Sequence, residues 1–419
     1  MKRTQATVLW LGLLLVALSI RGGAAVLWER RVAVGQQFSM GDSVTYWELG
    51  RAVSEGRAYE YGTPPRRVMR APAYPLLIAT VFRVAGGETS VLLVRLVGAV
   101  LGTVTVAGIG WLTYMVFGRS ASLAAGTLAC FYPGAISCSI LVLSEAVFCP
   151  LLVGQIGLTW QALRARTQFN AVGLAFLSGI AGGAAVLARP SWLLFTPLAW
   201  LLCCVVSVRA NRRWSAAASA LCGLVLVMTP WCLRNARAVG HPVITTLQVG
   251  ASLYDGLNPK ATGASDMYFV DASVNRVWQE MRGSGREREW EIVWDQEMRT
   301  AARTWAREGP GQSVRLALTK FRRMWSPWPH EVSLRGGWIG LMCAVGFLAV
   351  VLPALRQIPR LTWRDGLWVW LVLPAAYFTT LHMVFVSSIR YRQPPMLLLI
   401  VLAAGAYAQW AARCEGHDA

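Results

Sequence analysis

Residues 90–116, SVLLVRLVGAVLGTVTVAGIGWLTYMV, decide the fold class. Arg95 is the sole charge in the run, and no proline interrupts it. About 20 apolar residues in a helix cross the roughly 30 Å of hydrocarbon in a bilayer, so the stretch reads as a membrane span. Outward from it, comparable runs occupy 7–27, 120–138, 146–163, 171–187, 191–208, 214–231, 336–355, 366–386 and 394–411. The expectation is an all-α polytopic membrane protein with about ten transmembrane helices, in a range of about nine to twelve. Composition agrees: the 419 residues are 55% hydrophobic and 15% charged. A soluble chain carries roughly 25% charged residues, so soluble, disordered and fibrous classes are excluded. No repeat at a fixed period is evident.

The formal charge of +19, from Lys+Arg 40 against Asp+Glu 21, demands an account. A nucleic-acid protein gathers basic residues into a patch or stripe. Here they fall mainly between the apolar runs, and only Lys2, Lys260 and Lys320 are lysines. No nucleic-acid partner is expected. The nine cysteines lie mostly inside apolar runs, without a C-x-x-C, and read as small buried hydrophobes.

With the N-terminus inside, the short inner loops hold Arg119, Arg164, Arg166, Arg209, Arg212, Arg213, Arg356, Arg360 and Arg364. The short outer loops hold little beyond Arg189, Arg390 and Arg392. That asymmetry follows the positive-inside rule and sets the orientation. The first run, after Lys2 and Arg3, also has the look of a signal peptide, with Gly22-Gly23-Ala24-Ala25 as a cleavage point. An uncleaved first span fits the nine that follow. Residues 73–87 are apolar but broken by Pro75 and Arg83, too short to span, and read as an interfacial helix. The organisation is then a transmembrane region 1–231 with a first outer loop 28–89, an outer soluble segment 232–335, and transmembrane helices in 336–419. Val274, Val277, Trp278 and Met281 give the outer segment an amphipathic helical period before Gly309-Pro310 breaks it.

Polar residues collect on the outer face. Asp42, ahead of a helix expected from Ser43, reads either as its N-cap or as a carboxylate able to accept a proton from a hydroxyl. Tyr46 lies one turn later on the same side. Glu145, after Ser144, either complements a helix N-terminus or, as the sole acid in a long apolar stretch, faces an interior cavity. Arg70 precedes Pro72 and Pro75, which bracket Tyr74; its planar fork suits a phosphate. Arg189-Pro190 makes a tight outer turn, and Arg390-Tyr-Arg392-Gln-Pro-Pro precedes the last span, with His382 near the end of the one before. Snorkelling accounts for any one of these arginines, but not readily for several that share a compartment with two acids. No phosphate loop, dinucleotide fingerprint, H-E-x-x-H or G-x-S-x-G is present. Gly98-x-x-x-Gly102 reads as helix packing.

In order along the chain, these pieces resemble the GT-C superfamily of integral-membrane glycosyltransferases, in particular the bacterial relatives of protein O-mannosyltransferases and the lipid A aminoarabinose transferase. The matching residues are Asp42-x-x-x-Tyr46 with Gly56, Arg70-x-Pro-x-Tyr-Pro, Ser144-Glu145, Ala188-Arg-Pro, and Pro230-Trp-Cys-Leu-Arg234-Asn235 with Gly240-His-Pro. Gly250-Ala-Ser-Leu-Tyr-Asp-Gly-Leu-Asn258-Pro with Gly263, Lys320 with Trp325, and Arg390-Tyr-Arg-x-Pro complete them. The resemblance implies a bacterial inner-membrane enzyme that moves a sugar from a polyprenyl-phosphate donor to a lipid, polysaccharide or protein acceptor at the outer face. It implies Asp42 as base, Glu145 as a second acid and Arg70 at the donor phosphate. Tyr46, Tyr74, Arg189, His382, Arg390 and Arg392 are then substrate-binding candidates. Gly41-Asp42 stands where protein O-mannosyltransferases carry Asp-Glu, a departure that weighs against a protein acceptor.

A lipid-phosphate sugar already carries its leaving group, so no nucleotide site is required. Two acids with no nearby histidine would suit Mg²⁺ or Mn²⁺ if a divalent metal bridged Asp42 and Glu145. Two rival readings remain at this level: a transporter or flippase of a lipid-linked saccharide, and a non-catalytic scaffold for envelope assembly. Transporters place ionisable residues near the midplane on repeated broken helices, whereas these lie at the outer ends of spans.

Overall fold

A computed structural model describes residues 3–32, 37–38, 41–206, 210–330, 335–361 and 366–415. Lys2, Arg209 and Arg364 of the orientation argument lie outside the described residues. The chain runs through α1 (Arg3–Arg31), α2 (Gly41–Ser54), α3 (Ala73–Val84), α4 (Val91–Phe117), α5 (Arg119–Phe131), α6 (Pro133–Ile140), α7 (Glu145–Arg164), α8 (Gln168–Ala188), α9 (Phe195–Val206) and α10 (Ala210–Val239). The outer segment forms α11 (Val249–Gly256), α12 (Val270–Met281), α13 (Trp290–Glu308) and α14 (Pro310–Trp325). Then come α15 (Gly337–Gln357), α16 (Leu367–Leu371), α17 (Leu373–Val384) and α18 (Gln393–Glu415). The described residues form no β-strand, only an isolated bridge between Tyr61 and Arg66.

The chain is an all-α integral membrane protein, as composition requires. Among the described residues seven helices are long and apolar enough to span: α1, α4, α7, α8, α10, α15 and α18. The pair α5–α6, bent by 59°, makes an eighth. Among the described residues the count falls below ten: 120–138 is bent, and 191–208 and 366–386 give only shorter helices. Pro133 lacks an N–H and starts α6 at the bend, and Pro190 opens a 3₁₀ turn, Pro190–Trp192, ahead of α9. Pro374 accompanies the division of 366–386 into α16 and α17. Helix α10, by contrast, carries Pro230 inside it and continues to Val239, so the expected end at 231 was too early. Helix α3 has 12 residues, about 18 Å, too short to cross. It packs Tyr74, Ile78, Val81 and Phe82 into a core shared with Tyr46 and Trp47 of α2.

Close packing explains the glycine pair noted in the sequence. A Cβ on Gly98 would strike the Ser139 carbonyl, and one on Gly102 the Ser139 hydroxyl, so only glycine lets α4 meet α6. Arg21, fully buried in α1, donates to the Ala129 carbonyl at 2.9 Å and to that of Cys130 at 3.3 Å. It thereby satisfies the end of α5 where the span breaks. Arg95 donates to Glu29 at 2.9 Å and to the Ile140 carbonyl at 3.0 Å, fixing the end of α6 just ahead of Glu145.

At one end of the bundle, the loop between α2 and α3 and the segment carrying α11–α13 share one core. Tyr61 and Val68 of the loop pack with Val277, Trp290 and Trp294. Glu291 accepts the backbone N–H groups of Arg67 at 3.0 Å and Val68 at 3.1 Å, tying α13 to the loop that carries Arg70.

Candidate active site

Helix α2 begins at Gly41, so Asp42 sits in its first turn. Its carboxylate turns to two arginines: Arg70 Nη2 at 2.9 Å and Arg390 Nη1 at 3.3 Å. Arg390 reaches on to Glu145, with Nε at 2.6 Å and Nη2 at 3.1 Å, a two-pronged contact. Arg189 closes the row on Glu145 at 2.8 Å. The result is an alternating row, Arg70–Asp42–Arg390–Glu145–Arg189, with three cations and two anions. Elements that are distant in sequence supply it: α2, the approach to α3, the start of α7, the turn after α8, and the loop before α18. Glu145, first residue of α7, also meets the positive end of that helix.

The row borders a cavity of about 690 Å³ between the bundle and the cap formed by α11–α14. Asp42, Arg70, Arg390 and Tyr391 line it on the bundle side; Gln248, Trp294 and Arg323 line it from the cap. Glu145 does not line it, being 1% exposed beneath Arg390. Arg70 is held further by its donation to Thr45 Oγ1 at 3.1 Å and Gln248 Oε1 at 3.0 Å. Burial pushes the Asp42 carboxyl up, but Arg70 and Arg390 outweigh it and hold it down to about 2. Burial works against both cations, yet the carboxylates beside them raise Arg70 and Arg390 above their ordinary values. Asp42 is thus an ionised group facing open space, clamped by two permanent cations.

The other sequence candidates lie behind this wall. Tyr46 and Tyr74 are buried edge to face at 5.4 Å, and Arg70 lies over the Tyr46 ring. His382 stacks on Tyr391 at 4.1 Å, its Nδ1 2.7 Å from the Val386 carbonyl. It therefore supports a lining residue without reaching the cavity. Arg392, buried, donates to the Met324 carbonyl at 2.9 Å and to that of Ser326, anchoring the end of α14. The sequence reading missed Tyr391, Gln248, Thr45 and Arg323. Tyr391 was within the quoted Arg-Tyr-Arg motif, and Gln248 just precedes the Gly250 motif; Thr45 and Arg323 carry no sequence signal.

A divalent ion held jointly by Asp42 and Glu145 does not fit this arrangement. The Arg390 guanidinium lies between the carboxylates and donates to both, so a metal there would have to displace it. Among the described residues no group of three or more His, Cys, Asp or Glu is arranged to hold a metal.

Comparison with known proteins agrees at the level of the fold. The apo oligosaccharyltransferase of Archaeoglobus fulgidus superposes with a TM-score of 0.59 at 14% identity, over 96% of this chain and 50% of that one. AglB of the same organism, in complex with an inhibitory peptide and a dolichol-phosphate, gives 0.57 at 13% identity over 96% and 50%. ArnT from Cupriavidus metallidurans bound to undecaprenyl phosphate gives 0.46 at 13% identity over 98% and 80%. The chain spans about half the length of the oligosaccharyltransferase chains it matches. No protein-family model matches it, and no curated protein matches it by sequence. The fold is the one seen in the archaeal oligosaccharyltransferase structures.

Proposed function

We propose that the chain transfers a sugar from a polyprenyl-phosphate-linked donor to an acceptor hydroxyl at the extracytoplasmic face of a bacterial inner membrane, its N-terminus in the cytoplasm. The observation that carries this reading is Asp42, ionised on the wall of the 690 Å³ cavity between two arginines. The dolichol-phosphate in the AglB complex supports a lipid-phosphate donor on this fold.

Asp42 accepts the proton of the acceptor hydroxyl. The acceptor oxygen bonds to the anomeric carbon, and the bond from that carbon to the phosphate oxygen breaks. Its electron pair leaves with the polyprenyl phosphate. Arg70 and Arg390 neutralise the charge growing on the phosphate. Clamped by both arginines, Asp42 is a weak base. A donor phosphate competes for those guanidinium groups and loosens the clamp, so the base gains strength when the donor is in place. Glu145 and Arg189 orient Arg390 from below. No step uses a metal. The outer segment walls the acceptor side, for a lipid, polysaccharide or protein hydroxyl.

The test is Asp42→Asn in purified protein supplied with a panel of polyprenyl-phosphate sugars, donor loss being followed by mass spectrometry. Loss of a positioned base lowers turnover about 10²–10⁴-fold while donor binding persists. Full turnover in the variant would remove Asp42 from the mechanism. No turnover or binding across the panel by the wild type would favour a transporter or scaffold.

A further inference from the structure

At the end of the bundle away from the catalytic cavity, α15 and α18 enclose a second hollow of about 350 Å³. Helix α18 starts at Gln393, beside the arginine row, and holds Arg413 in its last turn. That rise is about 30 Å, a full hydrocarbon thickness, so the hollow opens at the opposite membrane face. Arg356, Arg360 and Arg413 converge on it with Tyr407, Gln409 and Trp410. No carboxylate lines it among the described residues. Arg360 donates to Gln409 Oε1 at 2.6 Å, bridging the helices and holding one guanidinium at the rim. On the catalytic wall, by contrast, each arginine of the row has a carboxylate beside it.

We propose that this hollow binds the phosphate headgroup of an anionic membrane phospholipid. Guanidinium forks match phosphate oxygens, and basic pockets between transmembrane helices take anionic headgroups. Tyrosine and tryptophan favour this membrane depth. Leu352 and Trp410, 60% and 65% exposed, turn apolar surface outward beside the arginines, where an acyl chain rather than water belongs. Orientation alone explains three inner arginines. It does not explain a hollow between two helices or a hydrogen bond that positions one of them.

Native mass spectrometry of the full chain titrated with phosphatidylglycerol tests this. The R356Q/R360Q/R413Q variant binds on the order of a hundredfold more weakly than the wild type, and phosphatidylcholine binds both equally and weakly. Gel filtration checks folding; if the triple variant fails it, R413Q in the exposed last turn carries the comparison, at roughly fivefold. Equal phosphatidylglycerol binding by wild type and variant overturns the proposal. So does displacement of the lipid by millimolar inorganic phosphate, which would mark a site for a soluble anion. No residue of the hollow belongs to the arginine row, so failure here leaves the catalytic reading standing.

Discussion

Asp42 and Glu145 share Arg390 on unequal terms. Asp42, its side chain 31% exposed, meets Arg390 through one nitrogen at 3.3 Å and faces the cavity. Glu145, 1% exposed, takes two nitrogens of Arg390 and one of Arg189. A carboxylate in reach of a ligand can exchange protons with it; one sealed beneath an arginine can only aim that arginine. The difference separates a chemical role from a positioning role, although the sequence presents both as acids near helix starts.

The comparison can be broken first at Glu145. Glu145→Gln leaves Arg189 and Arg390 without their buried counter-charge and lowers stability by about 3–5 kcal/mol, read as thermal unfolding in detergent. A stability matching wild type would show that Glu145 does not anchor the row. Next is Arg390→Lys, which keeps the charge but not the planar fork that spans both acids. Turnover should fall about 10²–10³-fold in kcat with the protein still folded. A kcat near wild type would mean that bridging is dispensable.

The pH dependence of two acids sharpens the contrast further, with opposite signs. Asp42 has a folded value below its ordinary one, so its pairing stabilises at neutral pH and is lost as pH falls through about 2. Glu291 is the reverse: burial, only partly offset by the Arg67 and Val68 amides, lifts its carboxyl to about 7. Its contribution is full below about 4.5 and is lost as pH rises through about 7. Hydrogen exchange at Arg67 and Val68 should therefore quicken between pH 5 and 8, beyond the intrinsic rate, and Glu291→Gln should flatten that difference. Last and smallest, Asp42→Asn should lower stability by about 1–3 kcal/mol, because its pairs with Arg70 and Arg390 are part-buried and the two guanidinium groups stay behind without that counter-charge. A larger loss would make Asp42 structural as well.

Much of the architecture was legible in the sequence because hydropathy accumulates locally. The expected span 90–116 is α4, Val91–Phe117, and 146–163 is α7, Glu145–Arg164. Errors came where proline had to be judged alone: Pro133 bends a span, whereas Pro230 rides inside α10 without ending it. Whether neighbouring helices absorb the missing hydrogen bond is not a local property. At the site, Asp42, Glu145, Arg70, Arg189 and Arg390 converge in one row. Tyr46, Tyr74 and His382 back it, whereas Arg392 ties the end of α14 to the loop before α18. A polar or aromatic residue near a helix end has the same sequence signature whether it meets a ligand or supports one that does. Arg21 and Arg95 were passed over because a lone arginine does not interrupt an apolar run, yet both are buried and secure the broken span.

By itself the sequence determined that the chain is a helical membrane protein, and arginine placement alone argued for an orientation. Both rest on sums over short windows: about 20 residues of apolar surface, and the cations in short loops. Only the tertiary structure decided which charges meet. Asp42 and Arg390 are 348 residues apart, and their contact exists only because the fold brings the start of α2 to the loop before α18. It also decided that Arg356, Arg360 and Arg413 surround a hollow. Ion pairing falls off within a few ångströms, so the use of each charge is set by packing that no local window contains.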